Sequence, residues 1–161
     1  MSDQLIDMLN HLLWSTKLLT NTIATMNEDQ FSRQLDSETR SVKEIILHLI
    51  SIYAYFSSQS EYKTIVERSK TLDKNDLLNL LKELTKKVFD TFSTNPDKFI
   101  PVKTKNNGTI KEVKGFSLFH MVSDHFAYHR GQIMTVFKRI TGKEGVGTDY
   151  ATFLMEDNPE L

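Results

Sequence analysis

At 161 residues with a net charge of -1, the chain is long enough for one domain with a sizeable core, and its lack of cysteine excludes disulfides, thiolate metal ligands and a cysteine nucleophile. Hydrophobic residues at 39% and charged residues at 25% are ordinary for a globular protein, and with no basic cluster in the sequence nucleic acid is not an expected partner. No stretch approaches the ~20 apolar residues of a membrane span, and a start carrying Asp3 and Asp7 lacks the basic opening of a secretory signal, so no membrane contact and a cytoplasmic location are expected.

Between Gln4 and Met26, Leu5, Leu9, Leu12, Leu19, Ile23 and Met26 follow a seven-residue repeat with Thr16 filling one gap. That spacing predicts an amphipathic helix, its apolar face widened by Leu13 and Trp14. Residues 27–40 are polar, with Phe31 and Leu35 as anchors, and read as a connection with room for a short helical turn. Ser41-Val-Lys-Glu44 is a capping box that opens a second helix, in which Val42, Ile45, Ile46, Leu49, Ile52, Tyr53 and Phe56 recur at helical spacing. This helix is expected to run to about Ser60, with Glu61 to Ser69 continuing it or forming an extra turn.

Asp73 or Asn75 can cap a third helix carrying Leu77, Leu81, Leu84 and Val88, with Lys82, Glu83, Lys86 and Lys87 on its solvated side. Pro96 and Pro101 end that region. Val102 to Val113 alternates around Asn106-Asn107-Gly108, which predicts a small hairpin or an ordered loop. Ser117 is expected to open the fourth helix, along which Phe119, Val122, Phe126, Ile133, Val136 and Ile140 repeat and His129 fills the missing position; Gly142 is its natural stop. Gly131 inside it costs about 1 kcal/mol against alanine, and provides room for another helix, or for a metal and its water. The tail from Gly145 to Leu161 has Tyr150, Phe153 and Leu154 as anchors. Four amphipathic helices around one core imply an all-α fold, a four-helix bundle spanning 1–161 as a single domain, whose long connections permit crossovers.

Three of the five histidines, His120, His125 and His129, lie in the fourth helix. His125 and His129, four residues apart, leave a helix only about 40° apart on successive turns. They share a face with Leu118, Val122, Ile133 and Val136, so both rings point towards the core. Buried imidazoles need partners. A divalent metal is one such partner, and hydrogen bonds within the core are another. His48, on the second helix at the edge of its apolar stripe, is seven residues past the Ser41 cap, about 10 Å along; His125 and His129 are about 12 and 18 Å past Ser117. His48 is therefore level with one or the other whether the helices run parallel or antiparallel. Three imidazoles from two helices leave coordination positions open, the pattern of a catalytic rather than a closed structural site. His120, about 140° round from His125, is read as a surface or supporting residue, and His11 as solvent-exposed.

His125-Phe-Ala-Tyr-His-Arg-Gly-Gln-Ile133 resembles the His-x-x-x-His-Arg-Gly-Gln motif of the DinB/YfiT-like metalloenzymes. Ser41 to Leu49, ending in Ile-Leu-His-Leu, is similar to that family's segment bearing the first histidine, and Thr148-Asp149-Tyr150 fits its ending. The resemblance covers nearly the whole chain. It implies a left-handed bundle in up-down-down-up order and a divalent metal, often nickel or zinc, on His48, His125 and His129. It also implies a homodimer, and thiol-dependent transferase or isomerase chemistry with bacillithiol, mycothiol or glutathione. Where relatives often carry a further histidine one turn before the motif, this chain has Met121, with His120 beside it.

Arg130 is read as the partner of an acidic neighbour, with an anion clamp at the mouth of the site as the alternative. Tyr55, on the face of His48, is read as a packing residue whose hydroxyl could reach a metal-bound water. Glu44 is the capping-box glutamate, with a bond to a ligand imidazole as the alternative. Two functions follow: a metal-dependent enzyme, a thiol-dependent S-transferase or hydrolase acting on a small molecule, or a non-catalytic metal-binding stress or interaction protein. A small-molecule binding module using the pocket above the metal is the third reading.

Overall fold

The structure, a computed structural model, describes residues 3–94, 97–103 and 109–155. Four long helices carry the fold: α1 (Asp3–Ala24), α3 (Val42–Ser57), α5 (Lys74–Thr94) and α6 (Gly115–Thr141). Between them lie α2 (Glu28–Ser32), α4 (Tyr62–Ser69) and the strands β1 (Phe99–Lys103) and β2 (Ile110–Lys114); α7 (Tyr150–Met155) follows α6. The seven-residue repeat of α1 is the buried one: Leu5, Leu9, Leu12, Leu19, Ile23 and Met26 are all in the core, with Thr16 buried among them and Trp14 beside them. None of the helices among the described residues is long and apolar enough to cross a membrane.

Helix ends are set by local chemistry. The Ser41–Glu44 capping box forms, with the Glu44 N–H donating to Ser41 Oγ at 3.2 Å and the Ser41 N–H to Glu44 Oε2 at 2.8 Å. A second box, Asn27 with Gln30, starts α2 and drops Phe31 into the core. Asp73 rather than Asn75 caps α5, accepting from the Asp76 N–H at 2.9 Å. The buried Lys74 ammonium donates to the carbonyls of Ala24 and Met26, satisfying acceptors at the C-terminus of α1 where no lysine, arginine or histidine lies in the last turn. Gly142 ends α6 in the left-handed region (φ 70°), its N–H on the Lys138 carbonyl at 2.9 Å.

Those contacts fix the order of the bundle. The start of α5 meets the end of α1 through Lys74, so the two are antiparallel. Phe56 and Ser57, at the end of α3, share a groove with Thr91 and Thr94, at the end of α5, so those two are parallel. His48 meets His125, while Ile45, earlier in α3, lines a groove with Val136, later in α6; α3 and α6 are antiparallel. With α5 packed between α1 and α3, and α6 between α3 and α1, the result is the expected up-down-down-up bundle. The connection that runs back along the bundle is the one between the parallel α3 and α5, which holds α4, while the α2 segment and the hairpin join antiparallel helices at the bundle's two ends.

Several boundaries differ from expectation. α3 stops at Ser57 and α4 is a separate helix, because Ser58 leaves helical geometry while its N–H still bonds the Ala54 carbonyl at 2.9 Å. The hairpin begins at Phe99, ahead of Val102, and pairs Ile100 with Val113 and Pro101 with Glu112; its expected turn at 106–108, and Pro96, lie outside the described residues. α6 begins at Gly115, not Ser117, because it grows directly out of β2 and the Gly115 N–H is taken by the Lys98 carbonyl at 2.9 Å. Of the tail anchors, Phe153 is buried whereas Tyr150 and Leu154 are exposed.

His11 is not solvent-exposed. The tail folds over it: its Nε2 meets the Thr148 carbonyl at 3.0 Å, and its ring packs on Trp14, Tyr150 and Phe153. Of the two readings of Gly131, close approach of another helix is not met, since a Cβ built there meets nothing within 4 Å; the glycine instead faces open space beside His129.

Two predictions follow from these positions. Gly131→Ala is expected to raise the stability of the metal-free protein by about 0.5–1 kcal/mol, read from urea unfolding, because it removes a mid-helix glycine without a clash. Burial holds the His11 imidazole below its ordinary value of 6.5, against the raising effect of the Thr148 carbonyl; nearby Arg130 lowers it further and Asp149 raises it. The folded chain thus binds fewer protons there than the unfolded chain, and the stability involved is whole above pH 6.5 and lost as pH falls through the depressed value. Thermal midpoints of wild type and His11→Gln from pH 8 to pH 5 are expected to converge in acid; parallel curves would show that His11 is not the source.

Candidate metal centre

The centre lies on the seam between α3 and α6. The Ser41 cap sets the frame of α3, and two turns later His48 leaves it half-buried, next to buried Ile45 and Leu49. On α6 the apolar stripe of Leu118, Val122, Ile133 and Val136 is fully in the core and turns His125 and His129 towards α3. Because the helices are antiparallel, His48 meets both. Its Nε2 is 2.9 Å from His125 Nε2, and His125 Nε2 is 3.1 Å from His129 Nε2. The His48 and His129 rings are edge to face at 4.7 Å between centroids, and one ring nitrogen from each of the three lies within 4.8 Å of the others.

Protons alone do not account well for this arrangement. His129 Nδ1 donates to the Gln132 side-chain carbonyl at 2.7 Å, and the Gln132 amide nitrogen in turn donates to the Tyr128 hydroxyl at 2.8 Å. With the proton on Nδ1, His129 Nε2 presents a lone pair to His125. A single proton or a single lone pair on His125 Nε2 serves one of the two short contacts well and not both, whereas a cation among the three nitrogens would engage a lone pair from each. Around an ion about 2.0–2.1 Å from each ligand, nitrogens 90° apart are about 2.9 Å from one another and tetrahedral ones about 3.3 Å apart. The two observed separations, 2.9 and 3.1 Å, fall within that range. Burial, aided by the positive charge of Arg40 and opposed by the Gln132 bond, holds His129 below the usual imidazole value, which favours the neutral ring that a metal requires. The residues present fit a divalent ion, and an all-imidazole set suits borderline metals.

Beside His129 opens a groove of about 780 Å³, walled by α6 on one side and by Ile45 and residues 38–40 on the other.

The remaining sequence candidates stand apart. His120 packs edge-on against Phe116 at 4.7 Å and is not in the cluster. The Glu44 carboxylate is engaged by Ser41 and Gln34, which leaves the capping role. Tyr55 packs edge-on against Phe56 and Tyr62. Arg130 forms neither the expected ion pair nor a clamp at the site, among the described residues. Its guanidinium lies over the Phe126 ring at 5.7 Å, influenced by Asp149 and Tyr53, with Nη1 buried and unpartnered.

Gln132 and Tyr128 were not singled out as ring-orienting residues from the sequence. The available signal was spacing: Gln132 is three residues after His129 and four after Tyr128, both neighbouring positions on a helix surface. Gln132→Ala is expected to weaken zinc binding by about 10- to 100-fold with the bundle intact, as loss of a ligand-orienting bond does; zinc titration against a competing chelator, with circular dichroism as the control, measures it.

No curated protein and no solved structure matches the chain significantly. The DinB family matches it over residues 1–160, essentially its full length. With the bundle and its three-histidine cluster in view, the chain is a member of the DinB family.

Proposed function

We propose that this protein is a divalent-metal-dependent enzyme whose ion, nickel or zinc, is held by His48, His125 and His129. The observation that carries the reading is the convergence of three imidazole nitrogens from two helices within 4.8 Å, beside a groove large enough for a small molecule. A tris-histidine ion supplies Lewis acidity that brings proton loss from a coordinated water or thiol into the neutral range. The protein's own part is to hold three neutral rings in register, to lock His129 through Gln132, and to seat the substrate in the groove. The reaction is S-transfer or hydrolysis of a small molecule. A low-molecular-weight thiol as co-substrate suits a chain that has no cysteine of its own.

A second reading, a non-catalytic metal-binding protein, draws on Glu44: the acid closest to His48 in α3 is committed to its cap. Untagged protein is expected to bind one metal per chain and His129→Ala to lose it, measured by elemental analysis. Metal-loaded wild type is then expected to conjugate 1-chloro-2,4-dinitrobenzene to glutathione or another cellular thiol, the S–aryl bond forming as chloride leaves, at least tenfold above His129→Ala. Stoichiometric metal with no turnover on any thiol favours the second reading.

A further inference from the structure

The groove beside His129 has a composition that the metal centre does not require. On α6 its floor is the stripe Tyr128, Gln132, Thr135 and Arg139, spaced four, three and four residues apart and so aligned along one face. Its opposite wall is the turn leading into α3. There the Asp36 carboxylate accepts from the Glu38 and Thr39 N–H groups at 3.1 and 2.7 Å, and Arg40 follows immediately before the Ser41 cap. Arg40 and Arg139 therefore enter one groove from elements distant in sequence. Among the described residues neither guanidinium is in an ion pair, whereas four other basic residues are. Glu38 on the rim is the single acid lining the groove.

We infer that the groove seats a small organic anion, so that the substrate of the metal-dependent reaction carries a carboxylate or phosphate that Arg40 and Arg139 grip while its reactive end reaches the metal at His129. This rests on the reading of the histidines as a metal site. Guanidinium groups bind both anions through paired N–H donors. Arg139 lines the same groove as His129, ten residues and about 15 Å of helix further along, and its longer side chain leans back towards the N-terminus and shortens that span. Arg40 and His129 both line this groove, so the guanidinium and the ring face the same space. Ile45 and Val136 give an apolar patch for the body of the molecule.

Calorimetric titration of the zinc-loaded protein with succinate, glycerol 3-phosphate and uncharged succinamide, at fixed ionic strength, tests the inference. At least one anion is expected to bind and succinamide not to. Arg40→Gln and Arg139→Gln are each expected to weaken binding about tenfold or more, the lysine variants less, with zinc content unchanged throughout. Whichever anion binds more tightly identifies the group as carboxylate or phosphate. If neither anion binds, or both bind equally well to the double glutamine variant, the anion seat is wrong while the metal reading stands. If wild type takes up no zinc, the metal reading itself fails.

Discussion

Three imidazole nitrogens crowd into one space, two of the contacts between them only 2.9 and 3.1 Å long, and the rest of the molecule makes that placement possible. His125 and His129 are held together by the helix that carries both, but His48 arrives from a different helix and is held there only by the α3–α6 seam. The seam in turn depends on packing: Ile45, Leu49, Val122, Ile133 and Val136 are all buried. Burial at this seam holds the His129 ring below the usual imidazole value, because a charged imidazole there loses hydration. The same burial that stabilises the bundle thus favours the neutral form of His129 that a metal would need.

Much of this was legible beforehand because it follows from short-range geometry. The pair four residues apart must share a face, and the Ser41–Glu44 box fixes where α3 begins and therefore how far along it His48 lies. The apolar stripes gave four long helices, and all four exist. What was less legible depended on segments meeting in space. His11 looked solvent-facing because the helix repeat leaves it off the stripe; only the returning tail, with Thr148, Tyr150 and Phe153, covers it. The start of α6 was placed at Ser117 by its capping propensity, but a hairpin feeding straight into the helix supplied Gly115 with a carbonyl instead. Gly131 offered room either for another helix or for a metal and its water, and among the described residues no helix takes that room: the glycine lines the groove beside His129.

Lys74 makes the same point about helix ends. A lysine opening a helix is poorly placed for the dipole of its own helix, and sequence gives no reason for it there. Its ammonium serves a different helix, taking the carbonyls that α1 leaves open after Ala24. The antiparallel α1–α5 pairing is thereby fixed by a polar contact at one end as well as by the leucine stripe.

His48 and His125 are 77 residues apart in the chain, and everything between them, α4, α5 and the hairpin, belongs to the loop that an ion would close. None of those intervening elements contributes a ligand. An ion on the seam would therefore tie together two helices separated by nearly half the chain, and it would do so only in the folded form, where the three rings meet. Without an ion, α3 and α6 are joined through their apolar packing while α1 and α5 are also clasped through Lys74, so an ion taken up at the histidines would strengthen one seam and leave the other as it is.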